Sequence, residues 1–256
     1  MALRTRRVFS IAGALAWLAA ASLGRVAPAA AVVGAADEDA RFANRVVMVL
    51  TRGADKAGFC SGVVLGPRVV LTAAHCLRPV ADMLVHYRDE EGRPVVVAVE
   101  AAAAHPIYRA DAIARRVVSI DLALVETRTP LDGRFAAARL AEGDGPAVGE
   151  TTILAGYGIA REGEPKTGGT LRSARLRVRA PLSKILLWAE DGGRTGLGAC
   201  VGDSGAPLFS ADSETVLAIV AWTSGPDGSH CGDLTQGPLV APQRAWIDAT
   251  LARWGQ

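Results

Sequence analysis

The residues best suited to chemistry are concentrated in one stretch, Cys200-Val201-Gly202-Asp203-Ser204-Gly205-Ala206-Pro207. A serine stands close between two glycines, with an acid just before it and a cysteine four residues back. The glycines let the backbone turn sharply with no Cβ in the way. Such a turn exposes a serine hydroxyl and aims backbone N–H groups at one point. An acyl-transfer nucleophile with an oxyanion hole needs both features. Taken alone, the stretch also fits an ordinary Gly/Asp/Ser/Pro loop.

Two further stretches carry candidate partners. In Leu71-Thr72-Ala73-Ala74-His75-Cys76 a histidine follows an apolar run, beside a cysteine that could tie it in place. In Ser119-Ile120-Asp121-Leu122-Ala123-Leu124-Val125 an aspartate leads an apolar strand. A buried carboxylate is costly unless something pairs with it. The four cysteines, Cys60, Cys76, Cys200 and Cys231, form no CxxC pair, which argues against zinc and thioredoxin-type chemistry. In an oxidising compartment they imply two disulfides, with three pairings open.

The beginning of the chain points to that compartment. Met1 to Arg7 is basic, Val8 to Gly24 is apolar and uncharged, and Ala29-Ala30-Ala31 offers a small-x-small cleavage site. Residues 1–31 thus read as a signal peptide, and Thr5-Arg6-Arg7-Val8-Phe9 resembles a twin-arginine export motif. Ordinary secretion is the alternative route. Either way the mature chain is expected to be secreted or periplasmic, with no stable membrane anchor. Arg4, Arg6, Arg7 and Arg25 belong to this leader, and no acid precedes Asp37. The mature chain then carries 24 basic against 26 acidic side chains, a balance that calls for no nucleic acid.

The elements that must position these groups are short. β-like runs appear at 45–50, 62–65, 69–71, 83–87, 95–99, 120–125, 151–154, 171–178, 185–188 and 216–222. Many short strands at near-regular spacing predict an all-β barrel or sandwich. A turn-rich segment at about 127–149 would divide the mature chain into two halves. Trp246, Ile247, Leu251 and Trp254 recur at helical spacing after Pro242, which predicts a closing helix over 242–254. Arg175-Leu176-Arg177-Val178-Arg179 alternates and reads as a solvated strand face.

The ordered set of motifs resembles the chymotrypsin/trypsin family of serine endopeptidases. The resemblance rests on Val32-Val33-Gly34-Ala35, Phe59-Cys60-Ser61-Gly62, Thr72-Ala73-Ala74-His75-Cys76, His105-Pro106-Ile107-Tyr108, Asp121-Leu122-Ala123-Leu124, Gly156-Tyr157-Gly158 and Gly202-Asp203-Ser204-Gly205. It implies two six-stranded antiparallel Greek-key barrels with a C-terminal helix, spanning 32–256. It assigns Ser204 as nucleophile, His75 as general base and Asp121 as the acid that orients it. The N–H groups of Gly202 and Ser204 would bind the oxyanion. The family pairing of cysteines would be Cys60–Cys76 and Cys200–Cys231. His105 falls in a structural motif of the family. No cofactor or metal is implied, and Asp89, Glu90 and Glu91 lack the spacing of the family's calcium loop. The expected partner is a peptide or protein substrate, acted on by a monomer.

The resemblance also implies an activation pair. A free amine at Val32, created directly by leader cleavage, would insert and pair with Asp203, with no separate zymogen step. Five residues bear on specificity. Gly198 stands where trypsin-like members carry a carboxylate, so cleavage after Lys or Arg is not expected. Ala199 keeps that wall small. Ala221-Trp222-Thr223 matches the family's Ser-Trp-Gly strand, with two departures. Ala221 lacks a hydroxyl that supports the catalytic aspartate, and β-branched Thr223 would narrow the pocket entrance. Together these favour a small or aliphatic residue on the acyl side of the cut. A different alignment of 224–237 would instead bring Asp227 or Asp233 to the pocket and restore a basic preference. Two other functions use the same fold: a non-catalytic binding protein, and an esterase.

Overall fold

Runs of β-branched residues build the first barrel. Its strands are β1 (Val46–Arg52), β2 (Ala57–Gly66), β3 (Val69–Thr72), β4 (Met83–Arg88), β5 (Pro94–Ala104) and β6 (Ala123–Thr127). The computed structural model describes Met1 and residues 32–256, apart from 35, 54–56 and 194, and the backbone alone of 37, 113 and 227. The expected leader and its cleavage site, at 2–31, lie outside the described residues. The six strands close in the order β1-β2-β3-β6-β5-β4, all antiparallel, with β4 returning to β1. Closure leaves no strand edge to pair with another chain. Valines fill the interior: Val47, Val49, Val64, Val70, Val85 and Val99 are all buried.

The second sheet contains β7 (Thr151–Gly156), β8 (Arg172–Val178), β9 (Leu186–Glu190), β10 (Pro207–Ser210), β11 (Thr215–Ile219), β12 (Trp222–Ser224) and β13 (Leu234–Pro238). Their hydrogen-bonded order is β12-β13-β9-β8-β7-β10-β11. The two ends of this order, β11 and β12, are separated by Val220 and Ala221 alone. The Ala221 N–H donates to the Gln236 carbonyl at 2.9 Å, and Ala218 bridges to Leu239. The sheet therefore curls onto itself, and β11 with β12 acts as one of six antiparallel strands. Two short pieces are added: Arg139–Leu140 runs parallel to β11, and Asp37–Glu38 lies along β8.

The largest apolar layer lies between the barrels. It draws Val46, Val63, Leu71 and Leu124 from the first and Ile153, Phe209, Val216 and Ile219 from the second. Phe42 stacks on Phe209 at 5.0 Å between centroids. The terminal helix α1 (Arg244–Trp254) closes this layer with fully buried Ile247, while Trp246, Leu251 and Trp254 pack at its margin. It begins later than the predicted 242, because 241–243 form a 3₁₀ turn. Two strands were not signalled by the sequence pattern. Pro207–Ser210 is short and follows the glycine-rich turn. Leu234–Pro238 carries Gln-Gly-Pro, a turn-like composition, because a Cβ at Gly237 would overlap the Ile219 carbonyl.

Candidate active site

Residues from both barrels meet at one face. On the first barrel, β3 ends at Thr72 and a 3₁₀ turn, Ala74–Cys76, presents His75. The Cys60–Cys76 disulfide ties this turn back to β2. Asp121 lies two residues before β6, and buried Leu122 and Ala123 anchor the chain behind it. The His75 backbone N–H donates to Asp121 Oδ1 at 2.9 Å, and its ring Nδ1 donates to Oδ2 at 2.6 Å. Two bonds to one residue fix both the carboxylate plane and the imidazole. With Nδ1 carrying the proton, Nε2 is left as the acceptor.

Two nearby groups are explained by burial. Burial pushes the Tyr108 phenol up from its ordinary pKa, and the Asp121 charge adds to this. His105 packs edge-on against Trp246 at 4.8 Å, and its Nδ1 accepts the Ile107 N–H at 3.2 Å. Burial holds its pKa below the usual histidine value. Among the described residues, none of its hydrogen bonds or ring contacts reaches His75 or Asp121; its backbone N–H donates to the Leu122 carbonyl at 2.8 Å. His86 bonds the Val95 carbonyl within the first barrel, and the His230 N–H donates to the Glu162 carboxylate.

The nucleophile loop comes from the second barrel, between β9 and β10, braced by the Cys200–Cys231 disulfide. Gly202 and Gly205 both have positive φ, +95° and +82°. At Gly205 a side chain is also excluded by space. A Cβ would overlap Thr72 Oγ1 and the Ser61 carbonyl and lie 3.1 Å from the Ala73 nitrogen. This close approach seats Ser204 beside the end of β3, three residues before His75. The Ser204 carbonyl accepts the Ser61 N–H at 2.8 Å, and the Gly205 N–H donates to the Val220 carbonyl at 2.7 Å. Among the described residues, no hydrogen bond occupies the Ser204 hydroxyl or the N–H groups of Gly202 and Ser204. Catalytic hydrogen bonds often form only once substrate is bound.

Asp203 does not join this pair. It is fully buried and accepts the Gly158 N–H at 2.8 Å and the Cys200 N–H at 3.0 Å. Burial nevertheless pushes its carboxyl up to about 7. The segment from Val32 packs against the same loop. Val32 is fully buried in a cluster with Ala199 and Ala206, and the Val33 carbonyl accepts the Gly198 N–H at 3.1 Å.

Gly198 and Ala199 are buried behind the loop. The Ala199 N–H donates to Thr235 Oγ1 at 3.0 Å. Across from it, the Thr223 hydroxyl donates to the Ala199 carbonyl at 2.9 Å, joining the two walls that the sequence assigned to a specificity pocket. A cleft of about 600 Å³ runs from His75 and Asp121 past Tyr108, Val117 and Val118 to Ala221 and Trp222, without reaching Gly198, Ala199 or Thr223. Asp233 is half-buried, with its N–H on the Ser224 carbonyl, and the Asp227 side chain is outside the described residues. Sequence reasoning missed Thr235, which sits in an unsignalled strand, and Ser61, which stood in a matched motif without a role.

A sequence model of the Trypsin family matches residues 32–237. The chain belongs to this family. As a trypsin-family member it is a serine endopeptidase. It is 28% identical to trypsin epsilon of Drosophila erecta, over 75% of this chain and 77% of that one. It is 27% identical to granzyme M of Rattus norvegicus, over 78% and 82%. Among solved structures it superposes on the scabies mite inactivated protease paralogue S-I1 with a TM-score of 0.67 and 23% identity, over 86% of this chain and 99% of that one. That last likeness concerns the trypsin fold alone.

Proposed function

We propose that this trypsin-family chain is an exported endopeptidase that cuts through an acyl-enzyme on Ser204. His75 Nε2 takes the Ser204 proton as Oγ bonds to the scissile carbonyl carbon. The same proton passes to the leaving amine as the C–N bond breaks. Water then repeats the sequence to release the acid. Asp121 holds the imidazole tautomer and stabilises its charged form, and the N–H groups of Gly202 and Ser204 receive the oxyanion. The observation that carries this reading is the doubly bonded His75–Asp121 pair, beside a loop that leaves those two N–H groups free.

Residues 1–31 are assigned to a leader removed on export, and 32–256 to a monomeric protease domain of two barrels. Leader removal after Ala31 would free the Val32 amine to pair with Asp203. The packing supports this start: Val32 is fully buried in a cluster with Ala199 and Ala206, which flank the loop that carries Asp203. For specificity, the Thr223–Ala199 bond and the missing acid at Gly198 favour a small or aliphatic acyl-side residue. Preceding substrate residues would lie in the cleft along Trp222.

A fluorophosphonate probe tests the nucleophile: the secreted protein is labelled, and Ser204→Ala is not. Absence of label on the wild type refutes the reading. N-terminal sequencing must return Val32, and a peptide-library profile must favour small aliphatic residues over Lys and Arg.

A further inference from the structure

We infer that Ser61 is a positioning residue for the oxyanion-binding backbone. The inference rests on the roles proposed above for the N–H groups of Gly202 and Ser204. Both of those residues hand their carbonyls to Ser61. The Ser61 hydroxyl donates to the Gly202 carbonyl at 3.0 Å, and the Ser61 backbone N–H donates to the Ser204 carbonyl at 2.8 Å. The hydroxyl oxygen is itself oriented, because it accepts the Tyr157 N–H at 3.0 Å. The Ser61 carbonyl accepts the Thr72 hydroxyl at 2.8 Å, three residues before His75. Ser61 is fully buried, so water does not compete for these bonds.

The geometry gives this one hydroxyl more leverage than an ordinary buried hydrogen bond. Ser61 lies on β2 of the first barrel, whereas Gly202 lies on the nucleophile loop of the second. At φ of +95°, Gly202 has no Cβ to resist rotation of its flanking peptide groups. Its carbonyl lies in the peptide that follows it and its N–H in the peptide that precedes it, whose Val201 carbonyl accepts the Ile159 N–H at 2.8 Å, so Ser61 and Ile159 together set the two planes that meet at Gly202. Removing the hydroxyl leaves the Gly202 carbonyl and the Tyr157 N–H without their partner. The loop can then regain a hydrogen bond for that carbonyl by rotating about Gly202, a movement that also pulls on the preceding peptide and takes its N–H off the oxyanion. Oxyanion stabilisation acts in the transition state and not on bound substrate, so the loss appears in kcat and spares KM.

The test compares wild type, Ser61→Ala and Ser61→Thr on a peptide anilide and on a matching peptide aldehyde inhibitor, whose adduct carries an oxyanion. Thr152→Val is the stability control. It removes a buried bond in the second barrel, Thr152 Oγ1 to the Phe209 carbonyl at 2.7 Å. We expect Ser61→Ala to lower kcat about 10- to 100-fold with KM within about twofold. Aldehyde affinity should weaken by the same factor, and Ser61→Thr should restore both. Thr152→Val should lower the melting temperature and leave kcat unchanged. If Ser61→Ala does not fold, Ser61→Cys keeps the size, donates weakly and gives the same comparison. The inference is overturned if kcat and aldehyde affinity per active site stay at wild-type values while only stability falls, or if KM alone rises. A wild type that neither cleaves the anilide nor binds the aldehyde overturns the site reading itself.

Discussion

Adding one residue in front of Val32 separates the activation pair from every other feature of the site. In the chain described, burial raises the Asp203 carboxyl from 3.8 to about 7, a shift of about three pH units. At 1.36 kcal/mol per unit, this places about 4 kcal/mol against the charged form at pH 8. A docked α-ammonium group would offset most of that, whereas an Ala31-Val32 start offers no charge at that point. A carboxyl with a raised pKa holds its proton more tightly folded than unfolded. The extended chain should therefore lose stability as pH climbs from about 4 to 7, by up to about 4 kcal/mol. The chain starting at Val32 shows the same sign in a higher window, at its own group. Pairing raises an α-amine above its reference value of about 8, so the contribution is intact at neutral pH and is lost as pH climbs from about 8 through the raised value. The assay is thermal unfolding and peptide hydrolysis of both chains from pH 5 to 10. We expect the extended chain to be at least tenfold less active at pH 8. Equal activity and superimposable pH profiles would refute the pairing of Val32 with Asp203.

Asp121→Asn should lower kcat about 10⁴-fold at neutral pH with an unchanged melting temperature, because the amide cannot hold the imidazole in the required tautomer; steady-state kinetics and calorimetry check this. Thr223→Gly removes the hydroxyl that bridges to the Ala199 carbonyl. It should raise kcat/KM for a leucyl or phenylalanyl substrate about tenfold relative to an alanyl one, measured on matched peptides. Replacing Cys60 and Cys76, 16 residues apart, by alanine should cost about 3 kcal/mol in a denaturant titration.

What the sequence made legible follows physical rules that act locally. β-Branched alternation marked most strands of both barrels, and helical spacing of Trp246, Ile247 and Leu251 marked α1. The ordered motifs singled out His75 and Asp121, which the structure brings together although they lie far apart along the chain. The missing strands are those whose residues answer to another strand and not to their own neighbours. Gly237 is present because Ile219 leaves no room for a Cβ, and nothing within Leu234–Pro238 announces that contact. Polar residues such as Thr235 and Ser61 were illegible for the same reason. Each is buried against a carbonyl or N–H from a distant element, and polarity alone reads as surface. Charge was equally silent about Asp203, where proximity to Ser204 invites a catalytic role. Only its complete burial, and its bonds to Gly158 and Cys200, show that it faces away from the His75–Asp121 pair.

The division of the site between barrels makes its geometry a property of their interface. His75 and Asp121 are held by the first barrel and their mutual bonds, while Ser204, Gly202 and Asp203 belong to a loop of the second. Among the described residues, no strand pairing joins the first barrel to the second sheet. Their relative position depends on the shared apolar layer and on a few polar bridges, chiefly the Ser61 bonds to Gly202, Ser204 and Tyr157. Apolar packing resists separation but is non-directional, so it fixes distance better than orientation. Hydrogen bonds have angular preferences and fix orientation. An oxyanion hole demands orientation, since its donors must point to where charge develops. On the role proposed for Ser61, its buried hydroxyl at this seam supplies what the apolar layer cannot, at a position where size alone would admit an alanine.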